Sequence, residues 1–377
     1  DGIDYGCRDQ LVAAYGPILR PMDSFKDSEP AMDITNTRGH DDLMVLMFTS
    51  GTTGRSKAVM LSERNFFTTV ECQVKFGDAM LDYKHEHMPE DKNDVLSNFA
   101  ILPLFHLGTF ICLFVWACKG WALNLSADIR DFYRDLGLMH SDAIAVAPML
   151  MEAIYKDVKR GRRARLNGIW NPCGSSAMFD GAMLAELAQQ GMMITQVYGM
   201  TETCGDGIIN YEQDEKHIRA VGKPDDHAEY KLDETGEICI RGGCVMLGYY
   251  KDPEATAEVL DADGWFHTGD LARVDEDGFY YITGRKKNII ILDNGENVSP
   301  EELENLLSKC EAVKECIVRE KGKKICAVIY CGEADQQTVR DFNTETNRTL
   351  PLYKRMSAVE FSTEPLPRTG TGKLLRK

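Results

Sequence analysis

The 377-residue chain sets 43 Lys and Arg against 59 Asp and Glu, a formal charge of −16 at neutral pH; this excludes a general binder of nucleic acid or anionic membrane, since both need a basic, phosphate-attracting surface. The length suffices for one large domain and a smaller one, and the longest apolar stretch, at 107–118, is too short to cross a bilayer. Twelve cysteines, scattered without C-x-x-C or metal-ligand spacing, read as reduced thiols, and with no secretory signal at the start a cytoplasmic protein is expected.

In chain order, residues 43–48 form a continuous apolar run that stops at Thr49, Ser50 and Gly51, the pattern of a buried strand feeding a polar loop. Ser62 can cap a helix that runs to about residue 76. Strand-like runs at 95–102, 143–147 and 192–197 then alternate with helix-like stretches at 107–118, 129–138, 149–159 and 179–190. Such alternation means α/β layering. After Tyr211 the texture changes to short strands and Gly-rich turns, including 236–241 and 277–282, which predicts a β-rich subdomain. Beyond Gly284 the expected order is strand 288–292, helix 300–309, strands 313–319 and 324–331, helix 335–349 and strand 357–361. The expected organisation is a large layered α/β domain over 1–285 and a small α+β lid domain over 286–377.

Two loops carry the densest chemistry. Thr49, Ser50, Gly51, Thr52, Thr53, Gly54, Arg55, Ser56 and Lys57 place hydroxyls, glycines and two cations in one short segment. Glycine lets backbone N–H groups approach an anion, hydroxyls donate and the cations supply charge, so the composition suits a triphosphate. The spacing is G-T-T-G-x-x-K, which fails the Walker A pattern. Near the end, Pro367, Arg368, Thr369, Gly370, Thr371, Gly372 and Lys373 form a second Gly/Thr loop with a cation, inside a basic island of Lys354, Arg355, Arg368, Lys373, Arg376 and Lys377. Alone it reads as a frayed tail; paired with the first loop it suggests a mobile lysine delivered to a distant site.

Taken together, five segments resemble the adenylate-forming superfamily of acyl- and aryl-CoA synthetases, luciferases and peptide-synthetase adenylation domains, from about Asp41 to the C-terminus. Residues 49–57 resemble its phosphate loop, Tyr198, Gly199, Met200, Thr201 and Glu202 its adenylate motif, and Thr268, Gly269 and Asp270 its ribose motif. Residues 284–287 followed by 294–302 resemble the hinge region, and 367–373 the segment with the catalytic lysine. The resemblance implies Tyr198 against an adenine, with Gly174, Ser175 and Ser176 as the other wall. It implies Thr201 on the α-phosphate, Glu202 on Mg²⁺, Asp270 and Arg285 on the ribose, and Ile282 beside the nucleotide. Lys373 would stabilise charge on the α-phosphate as a carboxylate attacks. Lys287 would be the hinge about which the small domain turns, with Gly295 lining a thiol channel. His106, in Pro103-Leu104-Phe105-His106-Leu107-Gly108, would stand at the entrance of an acyl pocket to which Val197 and Met200 also belong. His267 is read as structural.

Bland readings stand beside these: a turn aspartate for Asp270, a helix N-terminal charge for Glu202, a satisfied core histidine for His106 and a solvated basic turn for Lys286. The resemblance implies an AMP-forming acyl-CoA synthetase of fatty acid or aryl acid metabolism, using ATP, Mg²⁺ and coenzyme A. Its alternatives are an acyl-carrier-protein ligase, an amino-acid adenylation domain or a catalytically silent nucleotide-binding regulator. The pattern departs at Ser56, Ala58 and the Cys173-Gly174-Ser175-Ser176 stretch. Relatives also carry a long segment before the phosphate loop, so the chain is expected to be N-terminally incomplete.

Overall fold

The computed structural model describes residues 39–49, 57–126, 128–175, 179–205, 207–224, 226–292, 296–322, 324–368 and 374–375. The chain divides into two compact units, Asp1–Gly39 and His40–Lys377, and every element below belongs to the second. Strands β1 (Leu43–Thr49) and β2 (Lys57–Ser62) pair antiparallel, with Thr49 opposite Lys57. The expected phosphate loop is thus the connection of a hairpin, and β2 is an element that the sequence reading missed. Nor is β1 buried as expected: Phe48 is 71% exposed, because among the described residues β1 pairs with β2 alone.

Ser62 does cap the next helix, α1 (Glu63–His87): its hydroxyl accepts from the Asn65 backbone, and the Asn65 side chain accepts from the Ser62 backbone. This helix runs well past residue 76, because no Gly-Pro stop intervenes and Lys84, His85 and His87 complement the carbonyl end. Then follow β3 (Ser97–Ala100), α2 (Leu107–Cys118), β4 (Ala122–Leu125), α3 (Phe132–Leu138), β5 (Ala143–Val146), α4 (Pro148–Lys159), β6 (Asn171–Ser175), α5 (Gly181–Gln189), β7 (Thr195–Gly199) and β8 (Gly207–Asn210). They form a six-stranded sheet ordered β4-β3-β5-β6-β7-β8, parallel throughout except for the β7–β8 pair.

A parallel sheet must be covered on both faces, and this one is. Phe99, Ile144 and Val146 point to a cluster built with Phe132 and Leu136 of α3, Ile154 of α4 and Leu184 of α5. Ala143 points the other way, to a cluster built with Phe66 and Met80 of α1 and Ile111 and Val115 of α2. Each fully buried side chain of this size contributes roughly 1.5–3 kcal/mol.

The β-rich part holds β9 (Ala228–Leu232), β10 (Glu237–Gly242), β11 (Gly248–Tyr249), a short α6 (Pro253–Ala257), β12 (Phe266–Val274) and β13 (Tyr280–Arg285). Strands β13-β12-β10-β9 make an antiparallel sheet, while β11 joins β2. Beyond Arg285 come β14 (Ile290–Ile291), β15 (Asn297–Val298), α7 (Pro300–Leu307), β16 (Glu315–Lys321), β17 (Lys324–Tyr330), α8 (Gln336–Thr349) and β18 (Ala358–Ser362). Here Leu303, Leu307, Val318, Ala327, Ile329 and Val339 build a core of their own. The expected α/β class, with a β-rich subdomain and a smaller α+β C-terminal part, is what the chain forms.

No helix among the described residues is long and apolar enough to cross a membrane. The described cysteines are free thiols. Desolvation pushes the thiol of Cys112 up to about 11 and that of Cys173 up to about 12, which leaves them unreactive at neutral pH.

Candidate functional site

In an open α/β sheet the ligand crevice lies outside the carboxyl ends of the strands. Three of the expected site segments stand there: His106 follows β3, Gly174 and Ser175 end β6, and Tyr198 and Gly199 end β7. Val197 lies on β7 opposite Ser175 of β6 and Ile209 of β8. Beyond Gly199, a 3-10 turn over Thr201–Thr203 is closed by the Thr203 hydroxyl, which exchanges hydrogen bonds with the backbone of Met200.

The Tyr198 ring is buried, and its hydroxyl donates to Asp270 Oδ2 at 3.1 Å. The other carboxylate oxygen meets Arg285 Nε at 2.9 Å. Asp270 and Arg285 are direct partners across the β12–β13 ladder, so the pair is set by strand register and not by chance approach of loops. Burial, and then the Asp270 charge, push the Tyr198 phenol well above its ordinary range, so it acts as a donor. Ile282 stands opposite Ala272 on the same ladder and packs on the cluster that contains Tyr198.

A second group forms around Glu202. Its carboxylate accepts from the Tyr249 hydroxyl at 2.9 Å, and the Lys57 ammonium lies 4.4 Å from the centre of the Tyr249 ring. Strand pairing again explains the approach: β11 carries Tyr249 opposite Val59 on β2, two residues from Lys57. The Glu202 carbonyl also accepts from Met246 N–H at 2.9 Å. Burial and the adjoining Glu202 push the Tyr249 phenol far up, so it too stays protonated.

These contacts connect residues from four of the five segments: Lys57 to Tyr249, Tyr249 to Glu202, Glu202 along the chain to Tyr198, and Tyr198 through Asp270 to Arg285. Leu107, next to the exposed His106, packs in one cluster with Cys204, Met246 and Tyr249, with Met200 against it. An open cavity of about 320 Å³ is lined by Thr268, Gly269, Arg285, Lys286 and Lys287. Ser50, Gly51, Thr52, Thr53, Gly54, Ser176, Gly295 and Lys373 lie outside the described residues.

Glu202 offers one partly exposed hard oxygen ligand, which suits Mg²⁺, an ion that takes one or two carboxylates beside substrate phosphates. His267, read as structural, contacts Glu237, Cys239 and Asp261 through its ring nitrogens. Sequence reasoning missed Tyr249, whose partner lies far away in the chain and leaves no local signal. It also missed Glu237, for which a signal existed: a lone carboxylate heading the apolar run Ile238-Cys239-Ile240 must find a partner once buried.

Residues 8–250 match the family described as AMP-binding enzyme, and residues 302–373 the AMP-binding enzyme C-terminal domain. The chain is 31% identical to feruloyl-CoA synthase of Amycolatopsis sp, over 96% of its own length and 74% of that protein. It is 30% identical to 4-coumarate–CoA ligase 3 of Oryza sativa subsp. japonica, over 89% of its own length, but it spans only 63% of that relative. Among solved structures, O-succinylbenzoate coenzyme A synthetase of Bacillus subtilis with its acyl-adenylate intermediate superimposes with a TM-score of 0.72 at 26% identity, covering 90% of this chain and 69% of that one. The same enzyme with ATP and magnesium ion gives 0.72 at 26%, covering 90% and 70%. The chain therefore belongs to the AMP-binding enzyme family, the adenylate-forming superfamily of acyl-CoA synthetases and related ligases.

Proposed function

We propose that this chain is the nucleotide-handling part of an acid–thiol ligase that activates a carboxylic acid with ATP and passes the acyl group to coenzyme A. The observation that carries the reading is the line of contacts from Lys57 through Tyr249 and Glu202 to Tyr198, Asp270 and Arg285, which gathers a cation, a metal-suited carboxylate, an aromatic ring and a polar ribose partner at the strand ends. Asp270 and Arg285 would bind the ribose hydroxyls, Tyr198 would back the adenine with Gly174, Ser175 and Ser176 opposite, and Thr201 would donate to the α-phosphate. Lys57 and the 50–56 segment would hold the β- and γ-phosphates. Glu202 would hold Mg²⁺, whose charge would offset that of the phosphates.

A carboxylate oxygen of the acid attacks the α-phosphorus, the bond to the bridging oxygen breaks and pyrophosphate leaves, giving the acyl-adenylate. The thiol sulfur of coenzyme A then attacks the acyl carbon, the carbon–oxygen bond to AMP breaks and the thiol proton is lost to solvent or base. Lys373 assists the first step by meeting charge that accumulates on the non-bridging oxygens. The small domain over 286–377, turning about Lys287, then clears the approach for the thiol along a channel lined by Gly295. His106, Val197 and Met200 border the acid pocket. The names of the two curated relatives above, a 4-coumarate ligase and a feruloyl-CoA synthase, favour an aryl acid, with a fatty acid as the alternative.

The test is pyrophosphate release by the full-length protein across a panel of acids, with and without coenzyme A. AMP and pyrophosphate as products, with thioester formed only when coenzyme A is present, would support the proposal; ADP, or no nucleotide turnover with any acid, would overturn it. Lys373→Ala is expected to reduce pyrophosphate exchange by about 10²- to 10³-fold while ATP binding stays near normal. Near-normal exchange by that variant would remove Lys373 from the mechanism.

A further inference from the structure

We propose that Glu237 is a positioning residue of this site, tying the turn that carries Asp270 to Lys286 at the start of the hinge segment. The proposal rests on the function proposed above and adds a coupling between nucleotide binding and the hinge.

The turn exists because the ladders on both sides of β12 are irregular. Between β10 and β12, Glu237 faces Leu271 and Cys239 faces His267, so two steps along β10 correspond to four along β12. Thr268, Gly269 and Asp270 thus stand against the single Ile238, a surplus of two residues that bulges β12 out of register with β10. On the other side, the β12–β13 ladder slips between Leu271 and Ala272. Bulges of this sort re-aim side chains beside functional sites. Here the bulge adjoins Asp270, which meets Tyr198 and, in register across the β12–β13 ladder, Arg285.

A bulge leaves backbone groups without ladder partners, and Glu237 supplies one. Its Oε1 accepts from Gly269 N–H at 2.7 Å. Gly269 has φ +73°, a backbone state that other residues adopt only at a cost, so the turn is held both by residue choice and by this bond. The other oxygen, Oε2, accepts from Lys286 Nζ at 2.7 Å, and the Glu237 side chain is only 4% exposed. One buried carboxylate therefore holds the turn with one oxygen and Lys286, the residue before the proposed hinge, with the other. The Glu237 contact also holds the Lys286 ammonium in its charged form, above its ordinary range.

Asp233, Cys239 and His267 lie close enough together to suggest a metal site. The details favour the latch. Asp233 Oδ1 already accepts from Thr235 N–H, the Thr235 hydroxyl and Glu237 N–H. Asp233 Oδ2 lies 3.6 Å from Lys286 Nζ, so the ammonium sits where a cation would go. The Cys239 thiol is pushed up to about 11 by burial and by the carboxylates beside it, which keeps it protonated.

If the latch holds the hinge while nucleotide is gripped, breaking it should harm adenylation and leave thiol transfer largely intact. The experiment compares the full-length protein with Glu237→Gln, which retains an acceptor for Gly269, with Lys286→Met and with the double variant. Three readouts are followed: acid-dependent pyrophosphate exchange, transfer to coenzyme A from supplied acyl-adenylate, and the rate of tryptic cleavage after Lys287. Each single variant is expected to lose about ten- to a hundredfold in exchange, with transfer changed less than about threefold and cleavage accelerated at a temperature where the variant remains folded. The double variant should be no worse than the poorer single, the signature of one shared interaction. Equal loss in both half-reactions, fully additive losses, or unchanged cleavage in Glu237→Gln would overturn the latch. Exchange by the unaltered protein that the variants leave intact defeats only the latch, whereas an unaltered protein that activates no acid defeats the function and leaves cleavage to judge the contact.

Discussion

Tyr249 shows how one side chain can serve two charges. Its hydroxyl donates to the Glu202 carboxylate while its ring face receives the Lys57 ammonium, so one side chain touches both an anion and a cation. Tyr249→Phe keeps the ring and the cation contact but removes the donor. Glu202 then loses a fixed orientation, and the expected result is a fall of about tenfold in pyrophosphate exchange, with a weaker magnesium dependence and a stability loss of about 1 kcal/mol or less. Exchange measured against magnesium concentration checks this; an unchanged half-saturation would show that the hydroxyl does not orient the carboxylate. At this scale the sequence was legible where the chemistry is consecutive. Tyr198 and Glu202 stand in one short segment, whereas Asp270 and Arg285, fifteen positions apart, are grouped on one ribose only by what the family resemblance implies, and strand pairing brings them to 2.9 Å. Tyr249 was illegible as a site residue because strand register alone delivers it, whereas Glu237 left the signal of a carboxylate heading a buried run but none that named its partners.

Elements were legible in proportion to their periodicity. The strongly apolar Leu107–Cys118 helix begins and ends where the pattern says. Asn171–Ser175, with Asn, Pro, Cys, Gly and Ser, is not among the expected strands and is yet one, because neighbours on both sides supply its hydrogen bonds. One strand pair depends on a glycine: a Cβ on Gly207 would lie 1.8 Å from the Tyr198 carbonyl oxygen, which is backbone and cannot swing away. Gly207→Ala should therefore part β8 from β7, costing about 1–3 kcal/mol and displacing Tyr198; a melting temperature equal to that of the unaltered chain would contradict this. The turn between β12 and β13 has a different dependence. His217 bonds Asp214 at 2.9 Å and Asp277 at 3.1 Å, with Asp275 at 3.9 Å, while Lys216 pairs with Asp277 and Glu276. Asp214 foremost, and Asp277 after the opposing effect of burial, raise its pKa. A raised histidine stabilises the fold fully below the unfolded value of about 6.5 and loses that contribution as pH climbs through the folded value. Melting temperature should thus decline from about pH 6 into the alkaline range, and His217→Gln should flatten that part of the profile. A profile that the substitution leaves unchanged would assign the dependence elsewhere.

For the whole molecule, the decisive region is short. From Arg285 the chain passes through a 3-10 turn over Lys286–Asn288 into the core formed by Leu303, Val318 and Ala327, while the Ser299 hydroxyl, just ahead of α7, reaches back to the Thr283 carbonyl at 2.6 Å. Arg285 meets Asp270 and Lys286 meets Glu237, so the chain is tied to the β-rich sheet up to Lys286, and the proposed turning point at Lys287 follows directly after these ties. Proline fixes φ near −65°, the value of a 3-10 turn, and so suits the arrangement present here while denying it a swing. It also crowds Lys286, the preceding residue, which a Lys287→Ala control without that restriction separates from loss of the side chain. If the proposed ligase needs two settings of the 286–377 part, Lys287→Pro should form acyl-adenylate at near the normal rate yet lose most thioester formation, with Lys287→Ala much milder in the second step. Single-turnover measurements of each half-reaction on the full-length protein decide it. Equal loss in both, or a proline variant that still makes thioester, would mean that the rotation occurs elsewhere or is not required.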